Sequence, residues 1–317
     1  MLKLAQEIIN GRKITREDDL NIFLNCDLKE LCEGANKIRE HFVGNFVDVC
    51  TIINAKSGGC SENCKFCAQS IYSNSSCEVY GFLPLEKILN ACKNSEKNNA
   101  HRFCLVTAAK ALTGKEFDEA VFAISVLKKE CDIKLCASMG FLTKSQLKEL
   151  HKAGVTTYHH NIETSKRFFP NICTTHSYDM KINTIKAIKE EGLRVCSGGI
   201  FGMGETFHDR LDMAISLAEL EVDSIPINIL MPIKGTALEN LKILSEEDLL
   251  RTIAFFRYIN PKAEIRLAGG RCFLSDFGEK TFNVGASAVV AGNMLTTKIS
   301  TTINNDFNML KKMGRKI

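Results

Sequence analysis

Short β-rich segments alternate with longer helical segments along most of this chain, with a period of roughly 30 residues. Eight of the β-rich segments match buried strands, namely Val47–Ile53, Arg102–Thr107, Ile133–Ser138, Thr156–Asn161, Arg194–Ser197, Ser224–Ile229, Glu264–Ala268 and Ala288–Val290. The intervening helical segments include Pro84–Lys97, Lys115–Glu130, Thr143–Ala153, Tyr178–Glu191, Thr206–Glu219 and Ser245–Ile259. Strands that alternate with helices pair in parallel, and eight such units favour a closed α/β barrel of the (β/α)8 TIM type over an open doubly wound sheet.

The same pattern predicts one domain over residues 1–317, because no Pro-rich, Ser-rich or charged linker interrupts it. Residues 1–45 have helical spacing and predict an N-terminal extension that covers the bottom of the barrel. Within it, Thr15 followed by Asp18 is typical of a capped helix start. Residues 46–317 are expected to hold the barrel and a C-terminal helix.

Composition excludes several classes of protein. A balance of 41 basic against 37 acidic residues gives a net charge of +4, too small to indicate a nucleic-acid surface. No apolar run is long enough to cross a membrane, and the N-terminus does not have the pattern of a signal peptide. Fourteen cysteines in such a chain favour a reducing cytoplasm over a disulfide framework.

Three cysteines, Cys60, Cys64 and Cys67, follow the spacing C-x3-C-x2-C, and Phe66 precedes the last of them. Thiolates select iron–sulfur, zinc or copper sites. Three of them hold a four-iron (4Fe–4S) cluster with one iron left open, and an open position is typical of catalysis. The alternatives are a zinc site or a cysteine-rich turn, but zinc usually takes four ligands and no second cysteine pair lies nearby in the sequence.

A second group of residues occupies equivalent positions in four of the predicted strands. This group consists of Cys104, Cys136, Cys196 and Arg266. Each is the third residue of a short segment of its strand, and these segments are Arg102–Cys104, Lys134–Cys136, Arg194–Cys196 and Glu264–Arg266. Residues at the same depth and with the same inward parity converge in the lumen of a barrel. A buried cysteine is often a small apolar filler, but a buried arginine needs an anionic partner. The four positions together predict a second iron–sulfur cluster inside the barrel.

Four further features mark loops that can hold small molecules. A glycine-rich segment, residues 196–206, opens a helix and permits close backbone approach to an anion. Residues 158–163 carry polar groups to the end of a strand, where barrel enzymes place active sites, although His159 and His160 also fit packing roles. Asn228 is either a satisfied core amide or a group that contacts a ligand. Thr296 and Thr297 offer hydroxyls for a carboxylate or a helix cap.

Together these motifs resemble the biotin synthase family of the radical S-adenosylmethionine (SAM) enzymes, over residues 44–315. The resemblance rests on the cysteine loop 60–67, residues 102–104, Cys136, residues 174–176, 196–200, 202–205, 226–228 and 266–271, and residues 295–297. It implies a barrel homodimer that converts dethiobiotin to biotin, with a flavodoxin or ferredoxin-type electron donor. It also implies that one cluster cleaves SAM to a 5′-deoxyadenosyl radical while an auxiliary cluster, usually 2Fe–2S, donates sulfur.

The resemblance assigns roles residue by residue. Cys60, Cys64 and Cys67 would hold the 4Fe–4S cluster, and Cys104, Cys136, Cys196 and Arg266 the auxiliary cluster. The SAM-binding residues would be Phe66, Asn161, Glu163 and Lys181. The substrate-binding residues would be Asn161, Asn228, Thr296 and Thr297.

Some positions depart from the family pattern. His159 stands where asparagine is usual, Glu163 where aspartate is usual, and Lys181 where arginine is expected. Lysine keeps the charge but loses the two-pronged contact with a carboxylate. Cys272 is an extra thiol soon after Arg266. An auxiliary cluster with more iron than 2Fe–2S, or with different ligands, is therefore an alternative.

Two other classes of function are compatible with part of this pattern. Another radical SAM enzyme, such as a metallocofactor maturase or an amino-acid mutase, would share the first cluster but would not need the internal cysteines or Asn228. An iron–sulfur redox sensor or a zinc module would need neither an open iron nor a glycine-rich loop for a small molecule.

Overall fold

The computed structural model describes residues 1–292 and 302–317, so Thr296 and Thr297 lie outside the described residues. It contains one parallel sheet with the strands β1 (Asp48–Lys56), β2 (Arg102–Thr107), β3 (Lys134–Ser138), β4 (Val155–His159), β5 (Arg194–Cys196), β6 (Gly199–Phe201), β7 (Ser224–Ile229), β8 (Glu264–Leu267) and β9 (Ala288–Val290). The order is β5-β4-β3-β2-β1-β9-β8-β7-β6, and β5 also pairs with β7, which closes the barrel. Both β5 and β6 pair with β7, so together they take the place of one strand in an eight-stranded barrel. The predicted (β/α)8 barrel is therefore confirmed.

Helices surround the sheet. They are α1 (Leu2–Ile9), α2 (Ile22–Asn25), α3 (Leu28–Phe42), α4 (Leu85–Lys97), α5 (Gly114–Glu130), α6 (Lys144–Ala153), α7 (Tyr178–Glu190), α8 (Phe207–Glu219), α9 (Glu246–Ile259) and α10 (Ile303–Lys312). Thr143 and Thr206 begin α6 and α8 with reciprocal capping boxes. Gly154 ends α6 at a positive φ of 123°, a conformation that glycine adopts without strain. Among the described helices, none has both the length and the apolar character of a membrane span.

The break between β5 and β6 depends on two glycines. A Cβ atom on Gly198 would lie 2.1 Å from the carbonyl oxygen of Pro226, and one on Gly199 would lie 2.1 Å from that of Glu163. Only glycine permits this approach, which is needed because the Glu163 backbone bonds to Gly198 within the break and to Ile200 in β6. The glycine-rich segment therefore brings the end of β4 against the start of β6.

The N-terminal extension packs mainly on the outer helices. The buried face of α3, which includes Leu31 and Ile38, packs against α9. No helix begins at Thr15, contrary to the sequence prediction. The Asp18 carboxylate accepts the Thr15 N–H as in a capping box and also binds Arg12 at 2.7 Å, but the residues that follow form only a local turn. Only residues 13–15 reach a cleft beside the N-terminal ends of β5, β7 and β8.

Candidate active site

A cavity of about 300 Å³ lies where the cysteine loop meets the C-terminal ends of the strands. Its lining includes Cys60 and Cys64 from the loop, Cys104 and Arg266 from the lumen, and Asn228 from β7. Two wider clefts, of about 660 and 630 Å³, lie by the N-terminal ends of the strands, and their described lining contains no cysteine. Active sites of barrel enzymes form at the C-terminal ends of strands, so the smaller cavity is the candidate site.

The cysteine loop is held by backbone hydrogen bonds directly after β1. The Cys60 N–H donates to the carbonyl of Gln69 at 3.0 Å, and the Ile71 N–H returns a bond to Cys60 at 2.9 Å. The Cys67 N–H donates to the Cys64 carbonyl at 2.9 Å, which forms a tight turn between these two residues. Cys60 and Cys64 line the cavity, whereas Cys67 is not among the described residues that line it.

A second segment, residues 172–176, is fastened to the cysteine loop. The Lys65 N–H donates to the Ile172 carbonyl at 2.9 Å, and the Asn63 side-chain oxygen accepts from the Thr174 N–H at 2.9 Å. These bonds bring the Cys173 sulfur to 3.8 Å from the Cys64 sulfur. The hydrogen bond from Cys64 outweighs burial and lowers the pKa of Cys173 to about 3.

Buried thiols converge in the lumen as the strand pattern predicts. Cys104 on β2 is the register partner of Cys136 on β3, and His159 on β4 is the partner of Cys196 on β5. Each of the three cysteines is at most 1% exposed. Cys50 on β1, which the sequence analysis did not select, packs against Cys104 and Cys136. Four thiols and one imidazole therefore share this layer of the barrel.

The layer is electrostatically coupled. The hydrogen bond from Cys50 outweighs burial and lowers the pKa of Cys136, while His159 acts in the same direction. Burial opposes protonation of His159, but negative charge on Cys104 and Cys196 outweighs it and raises the pKa of His159. The arrangement thus favours a thiolate at Cys136, whereas burial raises the pKa of Cys104, and thiolates are the form that binds metal.

Below this layer, a network of charged groups fills the barrel. The Asp48 carboxylate accepts from Arg102 at 3.0 Å and from Arg266 at 2.6 Å, and Arg266 also binds Glu264 at 3.0 Å. The remaining Arg266 N–H groups bond to the Ser224 hydroxyl and to backbone carbonyls. Burial alone would raise the pKa of Asp48, but the two guanidinium groups hold it at about 2. The positive charge of Arg266 is thus compensated in part by the carboxylates of Asp48 and Glu264.

Asp48→Asn is expected to lower the free energy of unfolding by about 3–5 kcal/mol, because it removes the buried carboxylate that two buried guanidinium groups share. Urea denaturation of the full chain measures this change. Glu130→Gln is the matched control, since its ion pair with Lys93 is about half exposed on both sides and should contribute at most about 1 kcal/mol. Equal effects of the two substitutions would contradict the role of the buried network.

The same carboxylate predicts acid sensitivity. The folded-state pKa of Asp48, about 2, lies below the ordinary value of 3.8. A depressed pKa gives stability that is complete above the unfolded pKa and is lost as the pH falls through the folded one. We expect the stability difference between wild type and Asp48→Asn to shrink as the pH falls from about 4 towards 2. A difference that does not change over this range would contradict the assignment.

Polar groups without protein partners surround the upper part of the cavity. Within residues 1–292 and 302–317, the Oε2 atom of Glu163 and the Nε2 atoms of His159 and His160 are buried and make no hydrogen bond. Glu163 also has a positive φ of 72°, a strained conformation that is frequent at functional sites. Burial raises its pKa, although Lys181 opposes this shift. Buried polar atoms need partners, so the site fits a polar ligand.

The other predicted SAM residues lie nearby, with one exception. Asn161 accepts the Gly198 N–H at 3.1 Å, and its side chain also hydrogen-bonds to Glu163, which opposes the rise in the pKa of that carboxylate. The Lys181 ammonium is buried at the cavity wall, 5.4 Å from the centre of the Phe141 ring. Phe66 packs half-buried against the main core and does not line the cavity.

Asn228 faces the cavity, but the backbone uses part of its hydrogen-bonding capacity. Its amide nitrogen donates to the Gly199 carbonyl at 3.0 Å, and its oxygen accepts from the Gly269 N–H at 3.0 Å. One N–H and one lone pair remain for a ligand. Cys272 lies half-buried in a short 3₁₀ helix after β8 and is not among the described residues that line the cavity.

Sequence reasoning missed two thiols for different reasons. Cys50 has the inward parity of its strand, so the rule that selected Cys104 would have selected it if β1 had been aligned in the same way. Cys173 lies in a loop whose contact with Cys64 depends on hydrogen bonds over more than 100 residues of sequence. No local pattern indicates such a contact.

Comparisons with known proteins agree with this site. Residues 55–217 match the model of the radical SAM superfamily, and residues 226–316 match the Biotin and Thiamin Synthesis associated domain. The fold is similar to those of methylornithine synthase, with a TM-score of 0.84 and 21% identity over 99% of this chain and 96% of that one, and of HydG, a maturase of the FeFe-hydrogenase, with a TM-score of 0.85 and 19% identity over 99% and 75%. At this identity the two structures show the fold alone.

Curated relatives discriminate among the functions that the sequence left open. The chain is 59% identical to the biotin synthase of Clostridium beijerinckii, over 99% of both chains. It is 53% identical to the biotin synthase of Alkaliphilus metalliredigens, over 98% of both chains. Neither a sensor nor another radical SAM enzyme explains such full-length identity together with the two matched models. The chain belongs to the biotin synthase family of radical SAM enzymes.

Proposed function

We propose that this protein converts dethiobiotin to biotin in the 300 Å³ cavity between the cysteine loop and the lumen thiols. The observation that carries the proposal is that two separate thiol groups border one cavity, Cys60 and Cys64 above it and Cys104 below it. An enzyme that activates a substrate with one cluster and supplies sulfur from another needs this arrangement.

The upper group fits a 4Fe–4S cluster. Cys60, Cys64 and Cys67 are the proposed ligands, and their donor set of three thiolates is the one that leaves an iron open. Radical SAM membership implies this cluster and SAM as cofactors. The unpaired Oε2 atom of Glu163 and the side chain of Asn161 are the proposed partners of SAM, and Lys181 is the proposed partner of its carboxylate.

Phe66 is also proposed to take part in SAM binding. It precedes Cys67 in the loop and packs on the core side. A contact of its backbone with SAM fits this position better than a contact of its ring.

The lower group fits an auxiliary iron–sulfur cluster. Cys104, Cys136 and Cys196 are the proposed thiolate ligands, and Arg266 is the proposed fourth member of the site. The Arg266 side chain makes five hydrogen bonds, and it would have to give up one of them for a nitrogen to bind iron. The thiol of Cys50 touches Cys136 and offers a further sulfur ligand for a cluster larger than 2Fe–2S.

When bound, the two groups supply an electron for SAM cleavage and a sulfur atom for the product. The protein's own side chains bind and orient the two substrates and shield the reaction from water. Strand residues hold the lumen thiols in a dry layer, which excludes water from reactive species. Asn161 and Asn228, with Thr296 and Thr297 outside the described residues, are the proposed contacts of dethiobiotin.

Partners and location follow from the same proposal. A flavodoxin or ferredoxin-type protein would supply electrons, and the family resemblance suggests a homodimer. A reducing cytoplasm suits a chain with fourteen cysteines. Size-exclusion chromatography with light scattering tests the dimer directly.

Substrate dependence of SAM cleavage tests the function. The anaerobically reconstituted chain is incubated with a reductant and SAM, with and without dethiobiotin, and 5′-deoxyadenosine and biotin are quantified. We expect dethiobiotin to stimulate 5′-deoxyadenosine release and biotin to form. Release that dethiobiotin does not stimulate, with no biotin, would favour another radical SAM reaction.

Asn228→Ala is expected to weaken dethiobiotin binding more than SAM binding. Its remaining donor and acceptor match the N–H and carbonyl edge of a cyclic urea. Leaving ligand groups unpaired in a dry site costs about 1–3 kcal/mol, roughly tenfold to a hundredfold in affinity. Anaerobic isothermal titration measures both ligands, and SAM serves as the internal control for folding. Unchanged dethiobiotin affinity would make Asn228 only a tie between Gly199 and Gly269.

A further inference from the structure

We infer that Cys64, Cys173 and His176 form a zinc-binding site in the cluster-free chain, and that zinc there and the 4Fe–4S cluster exclude each other. The site goes beyond the proposed function and rests on it only through Cys64, which both metal centres would use. Cys173 and His176 come from the segment fastened to the cysteine loop. No second pair of zinc ligands lies near the cysteine loop in the sequence, but the fold supplies one.

The spacing of the ligand atoms fits tetrahedral zinc. The two sulfur atoms are 3.8 Å apart, and the Cys173 sulfur lies 3.7 Å from Nε2 of His176. All three ligand atoms lie within 4.8 Å of one another. Zinc bonds of about 2.3 Å to sulfur and 2.0–2.1 Å to nitrogen place two sulfurs about 3.8 Å apart and sulfur and nitrogen about 3.6 Å apart in a tetrahedron. The distances between the ligand atoms match these values, although the Cys173 sulfur is also 3.4 Å from Nδ1 and has to shift towards the Nε2 side of the ring to share the ion.

The imidazole is held as it is in many zinc sites. Nδ1 of His176 bonds to the Glu62 carboxylate, which leaves Nε2 as the ligand atom. Metal-bound histidines usually donate their other ring N–H to a carboxylate, which fixes the tautomer and the ring orientation. The Thr175 hydroxyl donates to the same carboxylate at 2.9 Å. Glu62, Cys173 and His176 are all less than 9% exposed, so this arrangement is built into the interior.

Sharing of Cys64 makes the two metals competitors. A 4Fe–4S cluster needs Cys64 together with Cys60 and Cys67, whereas the zinc set needs it together with Cys173 and His176. Three protein ligands leave the fourth zinc position for water or another occupant of the cavity. Zinc bound in this way would block assembly of the cluster, and a finished cluster would leave zinc without one of its thiolates.

Cobalt(II) titration of the full-length chain, freed of iron and kept anaerobic, tests the site. Cobalt replaces zinc and reports tetrahedral geometry and thiolate ligation in the visible and near-ultraviolet spectrum. We expect one tetrahedral cobalt per chain with two thiolate ligands, displaced by zinc. Glu62→Gln should weaken binding by about 10- to 100-fold. An octahedral spectrum, or one without thiolate charge-transfer bands, would overturn the inference.

Two matched variants separate the zinc site from the cluster site. Cys173→Ala should lose the tetrahedral cobalt spectrum and still assemble a 4Fe–4S cluster, measured by iron and sulfide content. Cys60→Ala should do the reverse. Loss of the cobalt spectrum in Cys60→Ala would place the metal in the cysteine loop and overturn the inference. Cluster assembly by Cys60→Ala would instead contradict the proposed function and leave the zinc site standing.

Cluster loading provides a third readout. A chain already reconstituted with iron and sulfide should not acquire the tetrahedral cobalt spectrum. If it binds cobalt with the same spectrum while its cluster stays intact, Cys64 is not shared and the mutual exclusion is refuted.

Discussion

Cys60→Ala is expected to abolish SAM cleavage while the fold is retained. Cys60 lies in a loop after β1 and lines the cavity instead of the main core, so its loss removes a proposed iron ligand without creating a core cavity. Two remaining thiolates should not hold a stable four-iron cluster. Iron and sulfide analysis, electron paramagnetic resonance of the reduced protein and 5′-deoxyadenosine yield measure the effect.

A different cysteine serves as the control for this experiment. Cys32 is half-buried in α3, outside the cavity, and Cys32→Ala should keep the cluster and the product yield. Cys60→Ala with a normal four-iron signal and a normal yield would show that the cysteine loop is not the SAM-cleaving site.

Cys136→Ser is expected to separate SAM cleavage from sulfur insertion. Cys136 is fully buried in the lumen and belongs to the lower thiol group, whereas the proposed 4Fe–4S ligands lie on the loop above. The variant should form 5′-deoxyadenosine but little or no biotin. Chromatographic quantification of both products from one reaction measures the separation.

Cys92→Ser is the packing control for that variant. Cys92 is equally buried, but it lies in α4, outside the barrel lumen. It should change thermal stability without separating the two products. If Cys136→Ser lowers both products and the melting temperature in parallel, Cys136 is a packing residue.

The barrel was predictable because its strands are short, apolar and regularly spaced. Strands β2, β7 and β9 begin and end at the predicted residues, and the other strand boundaries shift by only a few residues. The break at Gly198 was not predicted, since it depends on the carbonyl oxygen of Pro226 on a neighbouring strand. Local patterns determine a strand, but contacts between strands determine where it is interrupted.

The candidate site likewise has a part that local patterns predict and a part that depends on long-range contacts. Parity along strands was sufficient to place Cys104, Cys136 and Cys196 together in the lumen. It gave no information on the partners of Arg266, because Asp48 lies 218 residues away in the sequence. The position of Cys173 beside Cys64 likewise arises from a loop held by Asn63, a long-range contact without a periodic signal.

The origin of the sulfur in the product tests the central claim most directly. The full chain is reconstituted anaerobically with iron and ³⁴S-labelled sulfide, freed of excess sulfide, and allowed one turnover with SAM, a reductant and dethiobiotin. Two carbon–hydrogen bonds of dethiobiotin are replaced by two carbon–sulfur bonds, so the account predicts ³⁴S-labelled biotin with two molecules of 5′-deoxyadenosine for each biotin. Unlabelled biotin, or dethiobiotin recovered intact while SAM is cleaved, would contradict the account.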